Sequence, residues 1–202
     1  MIISVIPHSE KKDLFEILID EESWRSIHIS IFGRRPSFPS QVNSLEEWNE
    51  LFDQAEYRCV KNYVLRRLSM QSYHSVQLIK SLEDRLARST TIERVIQECI
   101  SWGYLNDQAW LDSFMRVHIK RHSMRAISFK LQSKGIARSC IQELMEAWHN
   151  PAEEEQALQH LLRTRYGKKD LNDYKEKQKV IGALVRKGYS FELIRSALND
   201  RE

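Results

Sequence analysis

Apolar residues recur at helical spacing in two stretches that superpose without a gap. In SMRAISFKLQSKGIARSCIQELM (123–145), Ile127, Leu131, Ile141 and Met145 occupy the positions held by Val180, Leu184, Ile194 and Leu198 in EKQKVIGALVRKGYSFELIRSAL (176–198). The offset is 53 residues, and Lys134-Gly135-Ile136 falls on Lys187-Gly188-Tyr189. At an offset of 49, Leu78, Leu82, Ile92 and Ile96 repeat the apolar positions a third time, with Leu86 in place of the glycine. Such periods mark one supersecondary unit used several times, each copy burying its apolar face on its neighbours.

Each copy predicts an amphipathic helix, a glycine that ends it after a basic residue, and a second amphipathic helix. Glycine suits that position because it accepts the left-handed conformation that closes a helix. Ser190 and Ser139 are the expected N-caps of two of the second helices. A further helix precedes each pair, at about 55–68, 107–121 and 152–165. Asp107 marks one start as a cap. Pro151 marks another, because the first turn does not need its missing N–H. The expected fold is all-α, a tandem array of three three-helix modules at 46–104, 105–149 and 150–202. A short extension, 1–45, precedes them.

The extension has a different period. LFEILID and SIHISIFG are rich in Ile and Phe, and the second alternates apolar with polar. With Asp20-Glu21-Glu22 as the turn they predict a β-hairpin, against the alternative of a helix at 10–19. GRRPSFPSQVNS (33–44) reads as a linker. MIISVIP is too short for a signal peptide, and no run is long enough to span a membrane.

Composition supports the helical reading. No proline occurs between Pro39 and Pro151, so nothing there is barred from helix. A hydrophobic fraction of 42% and a charged fraction of 29% fit small cores with much wet surface. Cys59, Cys99 and Cys140 are far apart among apolar residues, as expected for reduced, buried thiols of a cytoplasmic protein.

The net charge of +3 conceals a division. Residues 1–57 hold eleven acids and five basic residues, whereas the remainder holds seventeen acids and twenty-six. The stretch 113–142 has no acid. It contains Arg116, Lys120, Arg121, Arg125, Lys130, Lys134 and Arg138, with His118 and His122. A merely solvated helix face mixes signs to gain i,i+4 pairs, and this one forgoes them. These seven side chains are therefore the candidate contact to a polyanion or an acidic protein. A second basic stretch runs from Arg163 to Lys187.

Catalytic, cofactor and metal motifs are missing. There is no G-x-G-x-x-G, no G-x-x-x-x-G-K-[ST] and no C-x-x-C. His118 and His122 have the i,i+4 spacing of zinc ligands, but Ile119 stands where a metalloprotease needs Glu, and no third ligand follows. Ser123 beside His122 has no acid near in sequence to orient the imidazole. No catalytic residue, cofactor site or metal site is expected. Trp102, Tyr104, Trp110, Phe114, Phe129 and Trp148 are read as core residues, with base stacking as the alternative.

These residues resemble the RecX regulatory family, bacterial modulators of the RecA recombinase. WGYLNDQAWLDSFMRVHIKRHSMRAISFKLQSKGIARSCIQELME (102–146) is similar to the family's central signature. YVLRRLSMQSYHSVQLIKSLEDRL (63–86) resembles its first module and KVIGALVRKGYSFELIRSAL (179–198) its last. Three departures stand out, one of them the long acidic N-terminal extension. His122-Ser123-Met124 replaces a glycine-containing turn, and Leu86-Ala87 replaces a Gly-apolar close.

The resemblance implies a curved helical array lying along the groove of the RecA–DNA filament. It implies a non-enzymatic effect, hindering filament growth and with it recombinase and co-protease activity in DNA repair and the SOS response. The expected partner is the RecA nucleoprotein filament, with weak direct DNA contact, no membrane and a monomeric protein. The alternatives are a helix-turn-helix DNA-binding regulator or an α-solenoid adaptor independent of RecA. Against direct readout, the helix after Gly135 offers only Arg138 as a long donor near its start.

Overall fold

The computed structural model describes residues 1–199. Residues 200–202, the end of the expected third module, lie outside that range. The chain divides into two compact units, Met1–Asp107 and from Gln108 onward.

The first unit opens with an antiparallel sheet of order β1-β2-β3, formed by β1 (Ile3–Pro7), β2 (Leu14–Ile19) and β3 (Glu22–His28). The expected hairpin is β2–β3, and its turn is at Asp20 and Glu21. Both have positive φ, 48° and 71°, the hand that lets a two-residue loop follow strand twist. Two expectations change here. MIISVIP supplies a third strand, with Val5 paired to Ile17. SIHISIFG is strand only as far as His28. Its Ile29–Phe32 coils into a single helical turn, α1, where the His28 imidazole accepts from the Ser30 N–H.

The linker is not free either. The Ile3 N–H donates to the Ser40 carbonyl at 2.9 Å, and Ile2 bridges to Gln41. Residues 40–42 thus line the outer edge of β1 and bury Val42.

Helix α2 (Leu45–Met70) begins ten residues before the expected start at 55. Ser44 caps it by accepting from the Glu47 N–H, and the Glu47 carboxylate reaches back to the Asn43 N–H at 2.7 Å. The early turns exist because Trp48 and Phe52 complete the core beneath the sheet with Ile3, Ile17 and Ile27. Later turns place Val60, Tyr63 and Val64 in a second core with α3 (Ser75–Glu83) and α4 (Ser89–Ser101). Between the two cores lies Glu56, fully buried. It accepts from Arg88 Nε at 2.7 Å and from the Thr91 hydroxyl at 2.6 Å, which satisfies a charge that burial would otherwise penalise.

The second unit contains α5 (Asp107–His118) from Gln108 on, α6 (Met124–Ser133), α7 (Arg138–Trp148), α8 (Pro151–Tyr166), α9 (Tyr174–Arg186) and α10 (Phe191–Asn199). One core gathers Leu111, Met115, Ile127, Leu131, Ile141 and Leu144. The next gathers Leu158, Leu162, Val180, Leu184, Ile194 and Leu198. The apolar positions that superpose in sequence are thus equivalent core positions.

The turn that closes each repeat is also equivalent. Gly135 and Gly188 have φ of 87° and 89°, and Leu86 has 62° without being glycine. In all three turns the next residue's N–H returns five positions: Ala87 to Leu82, Ile136 to Leu131 and Tyr189 to Leu184. This is the Schellman arrangement, with its apolar contact between the two residues so joined.

Of the expected helix starts, Ser190 and Pro151 hold, whereas Ser139 and Asp107 differ. Ser190 caps α10, its hydroxyl accepting from the Leu193 N–H. Ser139 lies inside α7, whose N-cap is Ala137. Asp107 is the first residue of α5, and its carboxylate accepts instead from the backbone N–H and hydroxyl of Ser75. At α8, Pro151 takes the first helical position behind the Asn150 cap.

Candidate functional site

The acid-free stretch 113–142 occupies α5, α6 and the start of α7, all in the second unit. Its geometry is organised by a column of rings on α5. Trp110, Phe114, His118 and His122 follow at intervals of four, with ring centres 5.2, 4.2 and 5.3 Å apart. The column leads from the half-buried Trp110 to the polar end of the helix, and α6 lies alongside. Lys134 Nζ stands 5.9 Å from the centres of both Trp110 and Phe114. Lys130 Nζ donates to His122 Nε2 at 2.9 Å.

That hydrogen bond requires a neutral imidazole acceptor. Burial and the charges of Lys130, His122 and Lys134 hold His118 below the usual imidazole range. Burial, Lys130, Lys187 and Arg121 do the same for His122. Among the described residues none of the seven basic side chains forms an ion pair. Arg116, Lys120, Arg121, Arg125 and Arg138 are exposed, whereas Lys130 and Lys134 are half-buried against the rings.

The seven do not make one uniform patch. Lys130, Lys134 and Arg121 gather about the histidines. Lys120 and Arg121 also line an open hollow of about 490 Å³ with Glu153, Gln156 and His160 of α8. Arg125 sits beside Gly188, where a Cβ added to the glycine would lie 3.1 Å from its own. Among the described residues, no hydrogen bond or ion pair joins Arg116 or Arg138 to the others. The second basic stretch behaves differently, because Glu176 pairs with Lys169 at 2.8 Å and Lys179 at 2.9 Å. Those hydrogen bonds and charges bring the Glu176 carboxyl down to about 2.

The turn before α6 explains why His122-Ser123-Met124 works without glycine. Ser123 is buried, accepts from the Ala126 N–H as the cap and donates to the Lys187 carbonyl at 2.7 Å. Glu154 of α8 accepts from the Met124 N–H at 3.2 Å. The α6 N-terminus is thereby fixed to α8 and to the Gly188 turn.

Three aromatic residues expected in the core are on the surface. Phe129 is 72% exposed because it stands two positions from both Ile127 and Leu131, on the opposite side of α6. Its place off the apolar stripe was readable in the sequence. Trp102 and Tyr104 flank Gly103 beyond the end of α4, and Lys61 Nζ lies 4.3 Å from the Trp102 ring centre. Trp110, Phe114 and Trp148 do pack on the core.

Among the described residues, no helix is long and apolar enough to cross a membrane, and no three His, Cys, Asp or Glu side chains are grouped to hold a metal ion. The cysteines are unbonded; Cys99 is buried, and Cys59 and Cys140 are half-buried. Burial pushes the Cys59 and Cys99 thiols up, away from the reactive thiolate.

Comparison with known proteins fits this architecture. Residues 153–198 match the description "RecX, third three-helix domain". A "Regulatory protein RecX" of Clostridioides difficile is 30% identical over 166 residues, covering 79% of this chain and 76% of that protein. One of Streptococcus uberis is 27% identical over 175 residues, 84% of this chain. This chain covers 64% of the Streptococcus uberis protein's length. A crystal structure of regulatory protein RecX shares the fold with a TM-score of 0.62 at 18% identity, covering 98% of both chains. A RecX from Lactobacillus salivarius does so at 0.58 and 19%, covering 71% of this chain and 95% of that one. The repeated helix–turn–helix cores, the family's third domain in place and the extent of these similarities agree: the chain belongs to the RecX regulatory protein family.

Proposed function

We propose that this protein is a non-enzymatic, cytoplasmic regulator of RecA that binds the RecA–DNA filament and hinders its growth. Strand exchange, ATP turnover and co-protease function fall in consequence. The observation that carries the reading, beside family membership, is the contrast between the two basic stretches. At α9, Lys169 and Lys179 find Glu176 within the chain, whereas among the described residues none of the seven basic side chains of α5 to α7 forms an ion pair. Basic side chains left without an internal ion pair are suited to a negatively charged partner. Three quasi-equivalent modules can supply several weak contacts to a repeating polymer, and linked contacts gain avidity. Weak direct DNA contact and a monomeric regulator complete the proposal.

Co-sedimentation with RecA filaments on single-stranded DNA tests it. The protein is expected in the pellet with filaments and in the supernatant without them. A protein that stays in the supernatant at several-fold excess over RecA overturns the proposal.

A further inference from the structure

Around the end of α5, several cationic or protonatable groups converge from three elements. His118 and His122 come from α5 and the turn after it, with Arg121 between them. Lys130 comes from α6, 2.9 Å from His122 Nε2. Lys187 comes from the end of α9, and its carbonyl is tied to Ser123, the neighbour of His122, at 2.7 Å. The carboxylates that α8 brings to this side are Glu153 and Glu154, and Glu154 is engaged by the Met124 N–H. Lys130 therefore donates to a neutral imidazole, a weak partner for an ammonium that pairs best with an anion.

The geometry points to a phosphate-binding site formed by His122, Lys130, Lys187 and His118. Phosphate fits better than carboxylate because its several strong acceptor oxygens can take donors that arrive from different directions. Binding changes the protonation balance by a defined amount. His122 Nε2 takes one proton from solvent, turns from acceptor to donor, and Lys130 redirects an N–H from the imidazole to a phosphate oxygen. The anion replaces an internal contact between two bases with two charge-assisted hydrogen bonds. Arg121 and Lys134 strengthen the local positive field, and His118, whose protonation a charged His122 opposes, stays neutral and offers a ring N–H to the anion. The inference rests on the second unit alone and stands whether or not the protein acts on RecA.

The test is a titration of the whole protein followed by ring 1H–15N signals of its histidines. Inorganic phosphate is one probe and a short thymidine oligomer the other, against chloride at equal ionic strength. The His122 signals are expected to move saturably toward the protonated form, and the His118 signals to shift with them, with phosphate groups and not with chloride. Because phosphodiesters keep a fixed charge from about pH 5.5 to 8, oligomer affinity is expected to rise as pH falls through the imidazole range. K130Q is expected to weaken binding about tenfold, and K187Q, which leaves α5 and α6 untouched, by a similar factor. Tighter saturation by the oligomer identifies a nucleic-acid backbone as the source, and equal or tighter saturation by inorganic phosphate identifies a free phosphate; both uphold the site. Histidine signals that move no more with either probe than in chloride overturn it, as does wild-type affinity in both variants.

Discussion

The Ser123 hydroxyl donates to the Lys187 carbonyl at 2.7 Å while accepting from the Ala126 N–H at 3.2 Å. One buried side chain thus caps α6 and ties it to the turn that closes α9. S123A leaves a carbonyl and a helix N–H without partners in a buried place. It is expected to cost about 1–3 kcal/mol in a thermal or urea melt. S139A, inside α7 with an exposed side chain, is expected to stay within about 0.5 kcal/mol of wild type.

Tyr189 gives the opposite expectation in the same region. Among the described residues its buried hydroxyl has no hydrogen-bond partner, and desolvation with the nearby Glu154 charge pushes its pKa up to about 12. Y189F removes an unsatisfied group and keeps the ring, so the same melts are expected to show unchanged or slightly increased stability. A loss above about 1 kcal/mol would show that the hydroxyl has a partner.

The three repeat turns make a graded set. G188V suffers twice, since φ is 89° and an added Cβ would lie 2.7 Å from Ser123 Oγ. G135V carries the strain of a left-handed φ, expected to cost about 1–3 kcal/mol. L86G relieves that strain at a half-exposed leucine and is expected to stabilise by about 1 kcal/mol or less. G182A, within α9 where a Cβ meets only the Arg186 side chain at 3.5 Å, is expected to stabilise by up to about 1 kcal/mol. Chemical denaturation of the four variants checks the order.

Acid is expected to weaken the fold from a defined direction. Burial is the largest cause holding His28, His74, His118 and His122 below the normal imidazole pKa. The unfolded chain therefore binds protons at these sites before the folded one does. Their contribution is fully present above about pH 6.5 and is lost as pH falls toward the folded pKa values. Urea midpoints measured from pH 8 to pH 5 are expected to fall in the lower half of that range. H74Q, which can keep a cap oxygen for α3, is expected to flatten the curve.

How much of this was legible varies with the kind of signal. The Ile127/Leu131 and Val180/Leu184 stripes have a helical period, and Gly135 and Gly188 mark turns only glycine adopts freely, so the paired helices and their turns follow from residue order. Leu86 hides its turn because a leucine, exposed and with its carbonyl accepting from Arg25, takes the left-handed conformation there without glycine. The first turns of α2 do not follow from the repeat, because Trp48 and Phe52 bury against a sheet whose strand Ile3–Pro7 pairs only through the tertiary fold. The acid-free run was visible, but its division was not. That Lys130 meets His122 while Lys169 meets Glu176 depends on how helices pack, which spacing along one chain does not encode.

Charge reversal separates a contact face from a solvated one. The fourfold variant R116E/K120E/R121E/R125E is expected to keep its helical circular dichroism, since all four side chains are exposed and form no ion pair. Its binding to RecA filaments is expected to fall steeply, and wild-type binding to weaken as salt rises. Equal binding by both proteins would mean that this face does not touch the partner.

The most direct measurement of the central claim is RecA ATP turnover on single-stranded DNA, with this protein added from substoichiometric amounts upward. The account predicts slowed turnover below one protein per RecA protomer, with shorter filaments in the same samples. Unchanged turnover and filament length at several-fold excess over RecA would contradict it.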